Sequence, residues 1–359
     1  MIKLIKPYIA FDEVSKEMKE IFDSGIFTKG KYSKLFPQEI VEYTGARYAF
    51  LATSATTALT MALKVLEIGP GDEVIVSDFS FPASVNVIED VGAKPIFADV
   101  SRDTFNMTTQ ALEAAITEKT KAVIFVDGLG NPSGLDEIAL ICRAHAIPLI
   151  EDAACGIGSR VGDEKVGNIA DITCFSLHPR KLLTSGEGGI ITTNNEEYAK
   201  VLRYKLNHGA DESGEFISYG YNYRLPEIAC LLGCSQLAKV DDIVAERRQQ
   251  AADYAARLEP LGFIAQKSAE NAYHNFQSVV FRVPEGMNRD ALGAYLSDHG
   301  VENTIGTYCL SECTYYKKKY DDVQPVASYL QHNTITLPCY HDVPVAEVCD
   351  AIGQYCATL

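Results

Sequence analysis

Three stretches of the sequence hold residues whose types and order could do chemistry. The first, Ile150-Glu151-Asp152-Ala153-Ala154-Cys155, ends an apolar run on a carboxylate. If that run is a buried strand, Asp152 stands at its C-terminal edge, where open α/β sheets bind ligands. As a plain structural residue it would cap a helix or a turn. The second stretch runs from Cys174 to Lys181 and on into Gly186-Glu187-Gly188-Gly189. It ends another apolar run and presents one lysine before a glycine-rich turn, with Pro179 stopping regular structure just ahead. A lysine amine held in a pocket is a nucleophile toward aldehydes; otherwise Lys181 is a surface lysine beside Arg180. The third, Thr53-Ser54-Ala55-Thr56-Thr57, joins a strand to a helix. Free N–H groups at a helix start, with hydroxyls beside them, can hold an anion, although an ordinary Ser/Thr cap looks the same. No Walker sequence and no G-x-G-x-x-G occurs, so P-loop and dinucleotide folds lose support.

An anion cradle, a carboxylate and an amine on one sheet edge are what pyridoxal 5'-phosphate (PLP) requires: a phosphate anchor, a partner for the pyridine nitrogen and a Schiff-base lysine. The elements that must position them are legible. Apolar, β-branched or aromatic runs at Tyr48–Ala52, Glu73–Ser77, Pro95–Ala98, Ala122–Val126, Pro148–Asp152, Ile172–Ser176 and Gly189–Thr193 predict strands. Helical patterns at Thr56–Leu66, Ser84–Val91, Thr109–Thr117 and Asp136–His145 alternate with them. This alternation predicts an α/β fold: a mostly parallel, seven-stranded mixed sheet flanked by helices. After Pro226 the texture changes. Glu227–Leu258 reads as long helix broken once, followed by a strand at Phe276–Val283, a helix at Arg289–His299, a strand at Thr334–Leu337 and a helix at Val345–Tyr355. We expect a large domain over residues 1–235, with an N-terminal arm, and a smaller α+β domain over 236–359.

The 359 residues are 47% hydrophobic and 22% charged, which argues against disorder. With 32 basic and 48 acidic residues the net charge is −16, which excludes an electrostatic footprint for nucleic acid. The apolar runs are too short to span a bilayer. Met1 to Pro7 carries no signal-peptide pattern, so a cytoplasmic protein with its ten cysteines reduced is expected. Cys309 and Cys313 could share a helix face, but no histidine lies at ligand spacing and no metal site is expected. Lys317-Lys318-Lys319 reads as a solvated face.

Nearly the whole chain resembles the DegT/DnrJ/StrS family of PLP-dependent sugar aminotransferases, of the aspartate-aminotransferase-like fold. The resemblance rests on Gly69-Pro70-Gly71-Asp72-Glu73-Val74, Gly92-Ala93-Lys94-Pro95, Glu151-Asp152-Ala153-Ala154, Phe175-Ser176 through Lys181, Gly186-Glu187-Gly188-Gly189, Asn207-His208-Gly209 and Gly220-Tyr221-Asn222-Tyr223-Arg224-Leu225. It implies that Lys181 is the catalytic, Schiff-base lysine and that Asp152 pairs with the pyridine nitrogen. Phe81 would stack on the cofactor ring. Ala55, Thr56 and Ser176 would hold its phosphate, joined by Asn222 from the neighbouring subunit of a homodimer with shared sites. Ala55 replaces the family's usual glycine. Cys155 stands at a cofactor-contacting position where many members carry Gln or His. The segment Glu302–Ser311 lacks the Arg and His common in members that handle sugar nucleotides. Thr28, in the loop before Gly30, and Tyr308 are the implied sugar contacts. The implied reaction moves an amino group from glutamate, or glutamine, to a keto-sugar, a nucleotide-linked 4-keto-6-deoxy sugar, with pyridoxamine phosphate (PMP) as the aminated cofactor. The alternatives are a sugar dehydratase of the same family and a non-catalytic PLP- or sugar-binding regulator. Dehydratase members can carry His in place of the lysine; Lys181 is retained.

Overall fold

A computed structural model describes all 359 residues. The seven runs read as strands form one sheet: β1 Tyr48–Ala52, β2 Glu73–Ser77, β3 Lys94–Ala98, β4 Thr120–Val126, β5 Leu149–Asp152, β6 Ile172–Ser176 and β7 Gly189–Thr193, in the spatial order β1-β7-β6-β5-β4-β2-β3. β7 runs antiparallel to both β1 and β6, and β6, β5, β4, β2 and β3 are mutually parallel. Every residue of β2, β6 and β7 is buried, as a sheet covered on both faces requires. The helix Ala55–Val65 lays Ala58, Leu59 and Ala62 on one face, with Val74, Ile124 and Ile150 of the strands beneath it. Leu135, Ile138 and Cys142 of the helix Leu135–Ala144 cover the other, against Val123 and Phe125.

Two expected elements are shorter than read by two residues or more. The strand read at Phe276–Val283 is only Val279–Arg282, because Phe276 takes a left-handed backbone (φ 51°) that leaves the ladder. The helix read at Thr109–Thr117 stops at Ala115, where Ile116 turns extended.

The long helical stretch breaks at Ala238-Lys239 into Glu227–Leu237 and Val240–Leu258. The second helix serves two cores. Val240, Ile243 and Val244 pack with Phe36, Ile40 and Leu183, whereas Tyr254 and Leu258 pack with Phe281, Leu296 and Ile352. That second core backs an antiparallel sheet of β8 Ile264–Ala265, β9 Val279–Arg282, β10 Thr304–Ile305 and β11 Thr334–Leu337, in the order β8-β9-β11-β10. No helix is long and apolar enough to cross a membrane.

Contacts that sequence patterning did not reveal tie this C-terminal unit to the large sheet. Asp78, just past β2, accepts from the Ser311 N–H at 2.7 Å, the Ser311 hydroxyl at 2.6 Å and the Cys309 thiol at 3.1 Å. Burial pushes its carboxyl up to about 7, against the lowering effect of those hydrogen bonds. Alongside, Phe79–Ser80 pairs with Tyr308–Cys309 as a two-residue ladder. The first residues of the N-terminal arm also join the C-terminal unit: Ile2 bridges Val301, and the Leu4 carbonyl accepts from the Cys339 N–H at 3.1 Å. Lys317–Lys319 lie on a short helix, Thr314–Tyr320, where Lys319 pairs with Glu89 at 2.6 Å.

Candidate active site

Asp152 is the last residue of β5 and is 5% exposed. Its carboxylate accepts from the Ser84 hydroxyl at 2.6 Å and the Ala154 N–H at 3.2 Å. Ser84 in turn lies 2.8 Å from the Ser80 hydroxyl, so a chain of two serines fixes the carboxylate orientation. Burial raises the proton affinity of Asp152, while the Ser84 and Ala154 bonds and the charge of Lys181 pull it back.

Lys181 follows β6 on an irregular segment held from both sides. Leu182 and Leu183 are buried anchors. The Lys181 N–H donates to the His178 carbonyl at 2.8 Å. The side chain of Gln277 clamps the peptides around it, accepting from the Leu182 N–H at 2.5 Å and donating to the Arg180 carbonyl at 2.8 Å. Lys181 Nζ lies 3.2 Å from the Cys155 thiol. Nothing in the local sequence marks Gln277 or Ser84; they reach the site from the bend before β9 and from the helix Ala83–Asp90.

Phe81, Asp152, Cys155 and Lys181 line one cavity of about 210 Å³ between the large sheet and the C-terminal unit. Phe81 is 64% exposed, and its ring meets that of Tyr308 edge-on at 6.2 Å. One wall is therefore an open aromatic face.

Ala55, Thr56 and Ser176 lie on the same sheet edge. Register aligns Ala52 with Gly189 and Gly189 with Ser176, and two residues earlier in β6 Cys174 aligns with Asp152. Ser54 caps the helix, its hydroxyl accepting from the Thr57 N–H at 3.1 Å. The N–H groups of Ala55 and Thr56, in the first turn, have no intrahelical partner and are available to an anion. Gly189 permits this closeness: a Cβ there would stand 2.3 Å from the Ser54 carbonyl oxygen. Asn222 and Thr28 lie apart from Lys181 in the single chain. Asn222 is exposed and bridges Asn207, which lines a second cavity of about 350 Å³ together with Thr28 and Arg224.

This donor set suits PLP. An amine and a buried carboxylate face one cavity with an aromatic wall, and unpartnered helix N–H groups lie on the same edge. Residues 10–353 match the DegT/DnrJ/EryC1/StrS aminotransferase family. The chain belongs to that family. As an aminotransferase it is 31% identical, over 365 aligned positions covering 99% of both chains, to GDP-perosamine synthase from Vibrio cholerae. It is 31% identical over 366 positions to the spore coat polysaccharide biosynthesis protein SpsC of Bacillus subtilis, covering 96% of this chain and 94% of SpsC. Among solved structures it is similar to the PMP form of the putative sugar aminotransferase Spr1654 from Streptococcus pneumoniae, with a TM-score of 0.92, 28% identity and full coverage of both chains. The family and the mixed α/β architecture expected from the sequence both hold for this aminotransferase.

Proposed function

We propose that this aminotransferase uses PLP to move an amino group from glutamate, or glutamine, to a nucleotide-linked 4-keto-6-deoxy sugar. The product would be an amino sugar for surface polysaccharide or related glycans, made in the cytoplasm. The observation that carries the reading is the shared cavity of Lys181 and Asp152. Relatives named for perosamine and spore-coat polysaccharide synthesis support the sugar class.

PLP, when bound, supplies an electron sink that lets a substrate C–H release its proton. The chain's own residues do the rest. Lys181 Nζ holds the cofactor and then carries the proton from the substrate carbon and back as general base and acid. Asp152, buried at its strand end, would keep a proton on the ring nitrogen, the low dielectric around it strengthening the attraction of carboxylate for ring cation. Phe81 offers its face to the ring. Ala55 and Thr56 meet the phosphate with backbone N–H groups, Ser176 with its hydroxyl. Cys155 packs against the lysine amine, at 3.2 Å. Thr28 and Tyr308 contact the sugar.

Asn222 completes the phosphate site from the second subunit of a homodimer. Its exposure and its distance from the Lys181 cavity in the single chain support that assignment. Asn222→Ala is expected to weaken PLP retention about tenfold, the worth of one hydrogen bond to a charged group. Mixed with Lys181→Ala, it should regain activity, because one site of each hybrid dimer is then intact. No recovery in the mixture would reject a shared pocket.

The retained Lys181 favours transfer over dehydration, and the intact pair of Lys181 and Asp152 favours catalysis over binding alone. The deciding assay offers glutamate and a panel of nucleotide-linked keto-sugars, and follows new amine in the sugar by mass spectrometry with 2-oxoglutarate released in equal amount. Water loss without amine transfer would point to the dehydratase. No turnover, with no bleaching of the visible chromophore by any amino donor, would point to the regulator.

A further inference from the structure

A second pair of carboxyls sits behind Asp152. Register places Phe125 of β4 beside Glu151 of β5, so Asp127, two residues on, projects from the same sheet face as Glu151 and one step nearer the strand ends. The Asp127 N–H extends the ladder to the Asp152 carbonyl at 3.2 Å. Glu151 is 0% and Asp127 1% exposed, and Asp127 lines the same cavity as Lys181. One Glu151 oxygen accepts from the Thr173 hydroxyl at 2.7 Å, and the Gly167 N–H joins that hydroxyl in lowering the proton affinity of the carboxyl. The other, and both oxygens of Asp127, meet no N–H or O–H donor. The loop after Asp152 closes over the pair, and only glycine fits there: a Cβ on Gly156 would stand 2.2 Å from Asp127 Oδ2. The titratable groups around the pair are Asp152, Cys155 and Cys174, with Lys181 beyond Asp152; no buried cation faces it.

Two facing carboxyls sealed from water, with no cation and with three of their four oxygens lacking a donor, are stable only if a proton lies between them. We propose that Asp127 and Glu151 share one proton, and that the single negative charge they retain stands behind Asp152 as a positioning element strengthening the site's hold on a cationic ring nitrogen. The first half concerns the protein alone; the second rests on the PLP reading given above. Burial raises the proton affinity of both carboxyls, and their mutual repulsion raises that of Asp127 further, in the direction of a retained proton.

The unfolded chain ionises both groups near their ordinary values, whereas the folded chain keeps the extra proton. The stability it contributes is complete at low pH and is lost as pH rises. Wild-type apoprotein should therefore gain about tenfold per pH unit in its unfolding constant from this one proton, from the ordinary carboxylate range up to the pH at which the folded pair releases it. Asp127→Asn and Glu151→Gln should each remove that slope, since each leaves one carboxylate accepting from an amide. Each single variant keeps one charge, whereas Asp127→Asn combined with Glu151→Gln keeps none. PLP affinity, titrated by visible absorbance, should fall about tenfold in the double variant and least in the singles.

Infrared spectra of wild-type apoprotein at mildly alkaline pH should show the C=O band of a protonated carboxyl, which needs no variant to fold. A missing band, an unchanged slope in the single variants, or a double variant that binds PLP as tightly as wild type overturns the proposal. Wild type that binds no PLP would instead sink the functional reading, and the band and slope would still test the shared proton.

Discussion

Lys181→Ala is expected to fold and to transfer no measurable amino group, a loss of about ten-thousand-fold or more. Both roles proposed for the amine vanish together: the covalent hold on the cofactor aldehyde and the proton carrier beside the substrate carbon. The clamp around position 181 does not use the amine. Gln277 binds the backbone of Leu182 and Arg180, and the buried anchors are Leu182 and Leu183. Thermal stability of the apoprotein should therefore stay close to wild type while turnover disappears. Steady-state transfer by this variant would remove the lysine from the mechanism.

Asp152→Asn is the second large effect. The amide is nearly isosteric and its oxygen can still accept from Ser84, now at 2.6 Å from the carboxylate, so geometry is retained. The charge is lost. A neutral partner does not keep the ring nitrogen protonated, and the developing negative charge then has nowhere to go. We expect roughly a thousandfold loss in the glutamate half-reaction, followed by stopped-flow absorbance, with weakened cofactor affinity. The same substitution removes a carboxyl whose burial disfavours ionisation, so the apoprotein should not be destabilised. Full half-reaction rates in a folded variant would reject the role given to Asp152.

The large sheet was legible because its strands are short, β-branched and closed by Pro, Gly, Asp or Asn, with helical periodicity between them. Pro95 and Pro148 marked strand starts to within one residue, the strands beginning at Lys94 and Leu149. Patterning failed where an element is too short to have a period. The pairing of Phe79–Ser80 with Tyr308–Cys309 joins residues far apart in the chain through two residues a side. It nevertheless sets Tyr308 against Phe81. The docking of Ile2 and Leu4 on the C-terminal unit is a matter of two backbone contacts and carries no compositional signal.

In the site, Asp152 and Lys181 could be read because each stands at a strand end in a marked context. The residues that fix them could not. Ser84 reaches its carboxylate through one hydrogen bond across 68 positions, and Gln277 clamps two peptides 95 and 97 positions away. Asp127 lies in Val126-Asp127-Gly128, which reads as an ordinary strand-to-turn exit; its singularity is the absence of any donor around it. Thr28 and Asn222 lie away from the Lys181 cavity in one chain, and the role proposed for Asn222 calls on a second subunit.

The most direct measurement is borohydride reduction of the holoenzyme followed by peptide mapping. A single stable pyridoxyl group is expected on the peptide carrying Lys181, and it should disappear when glutamate is added before the reductant. A pyridoxyl group on any other lysine, or none on a yellow protein, would contradict the role given to Lys181.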